Sequence, residues 1–229
     1  MEGRPELDHA LAAGLTCDFI GFCSAYIGKD EIEQLLEPYK SKPVLFEFSR
    51  ELFDALTYQH VPGNFFGVFH SFSNDISALD PSEHLLILEQ VEKPGNLGAI
   101  LRTCDALGVK QVLCTETALD LFNPNVLRNA RGAVFNVKCV FGSNNETLAF
   151  LEEYAYTCFT AALHQDAIDY RSISDGTTKK AIILGSESDG LSPFWLNAKH
   201  QKIIIPMQGV VDSLNVSVSA AILMSELFR

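Results

Sequence analysis

The side chains best suited to chemistry fall in three segments of the 229-residue chain, each an apolar run that ends in small and polar residues. The first, EKPGNLGAILRTCDALG at 92–108, follows the run HLLILEQV. Pro94 and Gly95 make a turn, Asn96 stands where a helix starts, and Arg102 lies about one and a half turns further on. Taken alone, a cap and a surface arginine account for it. The second, AIILGSESDGLS at 181–192, runs from a strand into Gly185 and a polar loop with Glu187 and Gly190. Glycines there allow tight turns and the close approach of a ligand. Leu191 and Ser192 follow Gly190 where a phosphate loop needs Lys-Ser/Thr, and no G-x-G-x-x-G fingerprint is present. An acidic turn before a helix explains this segment equally well. The third, KIIIPMQGVVDSLNVSVSAAILMSELF at 202–228, passes from a buried strand through Pro206 and a glycine-containing loop to Ser213-Leu214-Asn215. Ser213 or Asn215 can cap the last helix. Capping leaves unexplained why an apolar loop joins a polar triplet after two other strand ends of the same kind.

The elements that must position these segments alternate along the chain. HLLILEQV, KQVLCT, VFNVKCV, TCFTAAL, KAIILGS and KIIIPM read as strands, the first apolar enough to be buried on both faces. NLGAILRTCDALG, closed by Gly108, NNETLAFLEEYAY, with Asn144 as a cap, and NVSVSAAILMSELF read as helices. Such alternation implies an α/β fold with a mostly parallel sheet and helices on both faces, whose ligands bind at the carboxyl ends of the strands. Ahead of it, ELDHALAAG, KDEIEQLLEPYK and RELFDALTYQ read as helices, with Gly14 ending the first and Ser49 capping the third. DFIGFCS, KPVLFEFS and NFFGVFHSF read as strands of a small α/β unit. The polar stretch SFSNDISALDPSEH at 71–84 reads as a linker, which places the division at 1–76 and 77–229.

With 47% hydrophobic and 20% charged residues, the chain has enough apolar material for a core. No run reaches the ~18–20 apolar residues of a membrane helix, and the charged start lacks a secretory core, so a cytoplasmic protein is expected. Six cysteines, at 17, 23, 104, 114, 139 and 158, form no C-x-x-C pair, and no histidine pair has zinc spacing. Buried thiols and no metal site are expected. The net charge of -12 argues against gripping nucleic acid by bulk charge. The charge is uneven, however. Residues 1–80 carry 5 Lys/Arg against 13 Asp/Glu, a net of -8, and residues 81–229 carry 12 against 16, a net of -4.

In order and spacing, the three segments resemble the motifs of the SpoU (TrmH) family of the SPOUT methyltransferase superfamily. The matching residues are N-x-G-x-x-x-R at Asn96, Gly98 and Arg102, L-G-x-E-x-x-G-L from Leu184 to Leu191, and I-P-M-x-G-x-x-x-S-L-N-V-S from Ile205 to Ser217. The resemblance covers about residues 84–229. Residues 1–76 are similar to the small RNA-binding domain that often precedes this catalytic domain, without its usual basic helix and first strand, so that domain is expected to be short at its N-terminus.

The resemblance implies transfer of a methyl group from S-adenosylmethionine to the ribose 2′-hydroxyl of a nucleotide in RNA, with ribosomal favoured over transfer RNA. It implies a C-terminal deep trefoil knot and a homodimer. Carried over by position, Thr160, Ala161, Leu184, Gly185, Gly190, Ile205, Pro206, Met207 and Leu214 would hold the methyl donor. Asn96, Arg102, Glu187, Ser213 and Asn215 would form the catalytic group. The family gives its motif arginine the role of base. A guanidinium, with a pKa above about 12, suits a phosphate contact or alkoxide stabilisation equally well. Glu187 would hold the motif loops or pair with Arg102. Arg128 and Arg131 would contact RNA, and with Arg102 they are expected to form a small basic patch on an acidic body. One departure stands out: the family's R-x-S-x-G is Arg128-Asn129-Ala130-Arg131-Gly132 here, so Ala130 replaces a serine. Two other readings compete. One is a catalytically inactive RNA- or ribosome-binding protein of the same fold, and the other is an unrelated nucleotide-binding α/β enzyme.

Overall fold

The structure, a computed structural model, describes residues 1–39, 42–57, 64–173, 176 and 179–228. The chain divides into two compact units, Met1–Phe72 and Ser73–Arg229. The break falls four residues before the one read from the linker composition, because the polar stretch is already held by the second unit. The Phe141 N–H bonds the Asn74 carbonyl, and Ile76 packs against that unit's core.

In the first unit α1 (Arg4–Ala12), β1 (Cys17–Phe22), α2 (Lys29–Leu36), β2 (Val44–Glu47), α3 (Arg50–Leu56) and β3 (Phe65–Phe69) alternate. β1 is central, parallel to β2 and antiparallel to β3. Leu7 and Leu11 of α1 and Ile32 and Leu36 of α2 pack with Ile20, Phe22 and Phe65 of the sheet. Gly14 takes a φ of +80° just past α1, and Ser49 caps α3 by accepting the Leu52 N–H at 3.3 Å. The ends of two expected helices, Lys40 and Tyr58-Gln59, lie outside the described residues.

The second unit continues with β4 (Leu85–Glu89), α4 (Pro94–Leu107), β5 (Gln111–Thr115), α5 (Pro124–Ala130), β6 (Lys138–Gly142) and α6 (Asn144–Glu153). After these come β7 (Thr157–Ala161), β8 (Ile168–Asp169), β9 (Lys180–Leu184), α7 (Pro193–Leu196), β10 (Gln201–Ile204) and α8 (Val216–Leu227). The strands form one seven-stranded sheet in the order β6-β5-β4-β9-β7-β10-β8, and every pairing is parallel. Residues of β4, β5 and β9 are buried throughout, as strands covered on both faces must be. Leu85, Ile87, Leu113 and Ile183 face Leu151 of α6 and Trp195 of α7. The alternate residues face the other way, where α4 packs on α5 and on α8. There the Cys104 thiol lies 3.5 Å from the Met224 sulfur.

Three local readings are corrected by the structure. The strand expected from Val134 begins at Lys138 instead. Arg131 and Gly132 take left-handed backbone at the end of α5, and a 3-10 turn at Ala133–Phe135 buries Ala133 and Val134. The cap of α6 is Ser143, in a reciprocal capping box with Glu146, rather than Asn144. Asn144 turns inward, donating from Nδ2 to Glu89 Oε1 at 2.6 Å and accepting the Trp195 indole N–H at 2.9 Å. The strand expected over 202–207 ends at Ile204, which leaves Ile205, Pro206 and Met207 in a loop.

Gly98 is where α4 and α5 approach most closely. A Cβ there would lie 2.6 Å from the Val126 carbonyl oxygen and 2.7 Å from Asn129 Cβ. Alanine would gain about 1 kcal/mol of helix propensity but lose about 1–3 kcal/mol to overpacking. Gly98→Ala should therefore lower the denaturant midpoint, and a raised midpoint would contradict the close packing. A second prediction concerns His84, whose Nδ1 accepts the Lys180 N–H at 3.0 Å and whose ring stacks on Phe228. Burial first, and the Lys180 charge second, lower its pKa below the ordinary 6.5. The unfolded chain then binds that proton more readily, so this contribution is whole above pH 6.5 and is lost as pH falls below it. Unfolding free energy measured downward from about pH 7.5 should fall less steeply in His84→Asn, which keeps an acceptor but does not titrate. The share from His200, also lowered by burial, should remain.

Candidate active site

The carboxyl ends of β7, β9 and β10 open on a cavity of about 490 Å³. Its walls come from elements far apart in sequence: Ala161 at the end of β7, Leu184 to Leu191 from the end of β9 onward, Ile205 and Met207 after β10, and Asp212 to Leu214 before α8. Buried side chains of α8, Val216 and Leu223, close it from the helical side. The β9 loop folds tightly back on itself, with Ser186 and Gly190 exchanging backbone hydrogen bonds at 3.0 and 3.1 Å. That fold requires glycine at 185, since a Cβ there would stand 2.1 Å from the Gly190 carbonyl group. Gly190 itself takes a φ of +68°.

Of the nine residues expected to hold a donor, Ala161, Leu184, Gly185, Gly190, Ile205, Met207 and Leu214 line this cavity. Thr160 and Pro206 do not line it. The Thr160 side chain is fully buried in β7, one residue below the rim, and its hydroxyl has no partner among the described residues. Pro206 lies between two lining residues. Glu187 and Ser213 of the expected catalytic group also line the cavity. Glu187 forms no ion pair with Arg102 here, and its Oε1 is buried without a partner among the described residues.

Of the other three, Asn96 and Asn215 meet, and Arg102 stands apart on α4. Asn215 caps α8, its Oδ1 accepting the Ser217 N–H at 2.9 Å, while its Nδ2 donates to Asn96 Oδ1 at 3.2 Å. This bond ties the start of α8 to the first turn of α4, and Asn96 Nδ2 is left buried and unpartnered among the described residues. Arg102 is exposed one turn beyond Gly98 on the same face of α4. It makes no hydrogen bond or ion pair among the described residues.

The segment after α5 runs beside α4 in the same direction. Gly98 meets Val126 and Asn129, and Asn136 Nδ2 donates to Asp105 at 3.2 Å. Along α4, Arg102 lies between those two contacts. Arg128 and Arg131 are exposed, three residues apart. Ala130 is fully buried against α4, so a serine at that position would place its hydroxyl between the helices.

Two acids that line the cavity, Asp189 and Asp212, were missed by the sequence reading, although each adjoins a motif residue. With Glu187 they make the polar lining acidic, with no lysine or arginine among the lining residues. A pocket of this size with apolar walls on one part and carboxylates on another fits a flat aromatic group joined to a cationic one. Burial pushes the thiol of Cys17 up to about 11 and those of Cys104 and Cys158 up to about 12, which makes these three poor nucleophiles. Among the described residues no cluster of His, Cys, Asp and Glu could hold a metal, and no helix is long and apolar enough to cross a membrane.

Residues 83–225 match the SpoU rRNA Methylase family. A tRNA (guanosine(18)-2′-O)-methyltransferase of Thermus thermophilus is 38% identical over 146 residues, 63% of this chain and 73% of that protein. The 23S rRNA (guanosine(2553)-2′-O)-methyltransferase RlmP of Bacillus subtilis is 29% identical over 182 residues, 80% of this chain and 71% of that protein. A crystal structure of an RNA 2′-O ribose methyltransferase, 32% identical, superposes with a TM-score of 0.78 over 98% of this chain and 85% of that one. With its second and third motif segments lining one cavity, the third bonded to the first through Asn215 and Asn96, and the match spanning 83–225, the chain belongs to the SpoU rRNA methylase family.

Proposed function

We propose that the protein methylates the ribose 2′-hydroxyl of a nucleotide in ribosomal RNA, using S-adenosylmethionine. The observation that carries this reading is the Asn215–Asn96 hydrogen bond. It links the third motif, which walls the cavity, to the helix that bears Arg102. When bound, S-adenosylmethionine supplies an electrophilic methyl group. Ala161, Leu184, Ile205 and Leu214 would hold its adenosine in an apolar slot, and Glu187, Asp189 and Asp212 suit its positive charge. The chain's main contribution is to hold the ribose oxygen in line with that methyl group, which can supply several kcal/mol of the barrier, about 7–11 at most.

Arg102 acts by charge in this reading. A guanidinium stays protonated in proteins, and the exposed, unpaired side chain is free to bind a phosphate or stabilise the developing alkoxide. The buried, unpartnered Nδ2 of Asn96 orients the ribose. Arg128 and Arg131 bind flanking phosphates, which gives a basic edge to an acidic body. The first unit binds RNA as well. Ribosomal RNA is favoured because the alignment with the rRNA enzyme spans 182 residues, more than the second unit contains, whereas that with the tRNA enzyme spans 146. A homodimer and a trefoil knot complete the proposal. The knot is supported by the chain path at the end: β10 sits between β7 and β8, its loop shares the cavity with the β9 loop, and α8 then packs on α4.

Transfer of labelled methyl groups to rRNA and tRNA, with mapping of the alkali-resistant linkage, tests this function. Arg102→Ala should lower kcat about 100-fold while leaving donor affinity unchanged, and Arg102→Lys should recover part of the loss. Full activity in Arg102→Ala would overturn the role given to Arg102. Gly185→Ala should abolish donor binding measured by calorimetry, because the β9 loop cannot close over a methyl group.

A further inference from the structure

Among its described residues, the second unit buries one carboxylate that no motif includes. Glu89 ends β4 with no exposed surface. Its Oε1 accepts from Asn144 Nδ2 and from the Ser192 hydroxyl, both at 2.6 Å, and its Oε2 accepts the Ser192 N–H at 2.7 Å. All three partners are donors. Asn144 is itself fixed by the Trp195 indole at 2.9 Å, and its own N–H donates to Glu116 at 2.9 Å. Ser192 is the residue after the β9 loop, and it stands at the N-terminus of α7 without capping it, because its hydroxyl is turned to Glu89.

From this arrangement we infer that Glu89 is a positioning residue for the methyl-donor pocket, an inference that rests on the function proposed above. The Gly185–Leu191 loop is held at its start by β9 and at its end by the two bonds from Ser192 to Glu89. The loop has little other support: the Ser186–Gly190 pair lies within it, and Ser188, Asp189 and Gly190 are exposed. Leu191 anchors its end in the core next to Ser192. Releasing Ser192 would free the wall that the loop presents to the donor while leaving Arg102, Asn96 and the RNA-facing arginines in place. Glu89 acts on donor affinity and not on the RNA.

The test compares Glu89→Gln and Ser192→Ala with the wild-type chain. Glutamine has the size of glutamate but presents an N–H₂ group to a site whose partners are donors, so at least one bond must fail. Both variants should weaken calorimetric binding of S-adenosylmethionine about tenfold, the equivalent of one charge-assisted hydrogen bond. The KM for RNA should stay unchanged, and the double variant should be no weaker than the worse single one. Hydrogen exchange in 185–191 should speed up in both variants with or without donor, whereas the amides of α4 should not change. Lower stability with unchanged donor affinity and unchanged exchange in 185–191 would overturn the inference and leave Glu89 a structural residue. Faster loop exchange in a chain whose wild type binds no S-adenosylmethionine would instead overturn the function proposed above, and with it the donor role of Glu89.

Discussion

A parallel sheet sends the carboxyl end of every strand to the same edge, and the catalytic unit of this protein depends on that constraint. Its central strands are buried on both faces, so apolar side chains fill their middles and the polar ones stand at their ends. The three motif segments each begin where a strand stops, and the parallel sheet brings the ends of β4, β9 and β10 to one edge although about ninety residues separate the first segment from the second. The cavity is the space left between the ends of β7, β9 and β10, and α8 closes it from the helical side.

Burial at that edge has a cost, which the network around Glu89 offsets. An unpaired carboxylate or indole N–H in such a place would lose several kcal/mol of hydration. Here the Glu89 oxygens accept three hydrogen bonds, and Asn144 and Trp195 complete the set. Partners drawn from β4, α6 and α7 are thereby locked to one another at the top of the sheet. Glycine does the complementary work where atoms must approach: Gly98 lets two helices touch, and Gly185 lets the β9 loop fold over its own base.

Charge is arranged on the same scale. The chain carries a net charge of -12, yet Arg102 on α4, Arg128 on α5 and Arg131 just past it are all exposed, while Glu187, Asp189 and Asp212 line the cavity. Screening confines such fields to about 8–10 Å in physiological salt, so a local cluster can oppose the sign of the whole body. Whole-chain charge therefore says little about which polymer this surface meets.

Periodicity made the alternation of strands and helices legible, and the motif spacings marked the segments that gather at the site. Both are properties of neighbours in sequence. Short-range chemistry was read less well where two local solutions compete: Ser143 and Asn144 can each cap α6, and only the buried partners Glu89 and Trp195 decide that Asn144 turns inward. The turn at Arg131-Gly132 likewise follows from α4 packing against what precedes and follows it. The sequence by itself determined the fold class and the residues that could do chemistry, because side-chain polarity and glycine geometry act at fixed intervals along a chain. The tertiary structure alone decided that Asn215 meets Asn96, that Asp189 and Asp212 join Glu187 in one cavity, and that Glu89 holds Ser192. Each of these joins residues far apart in sequence that follow or end different strands, and their distance in space depends on the order of strands in the sheet, which no local pattern encodes.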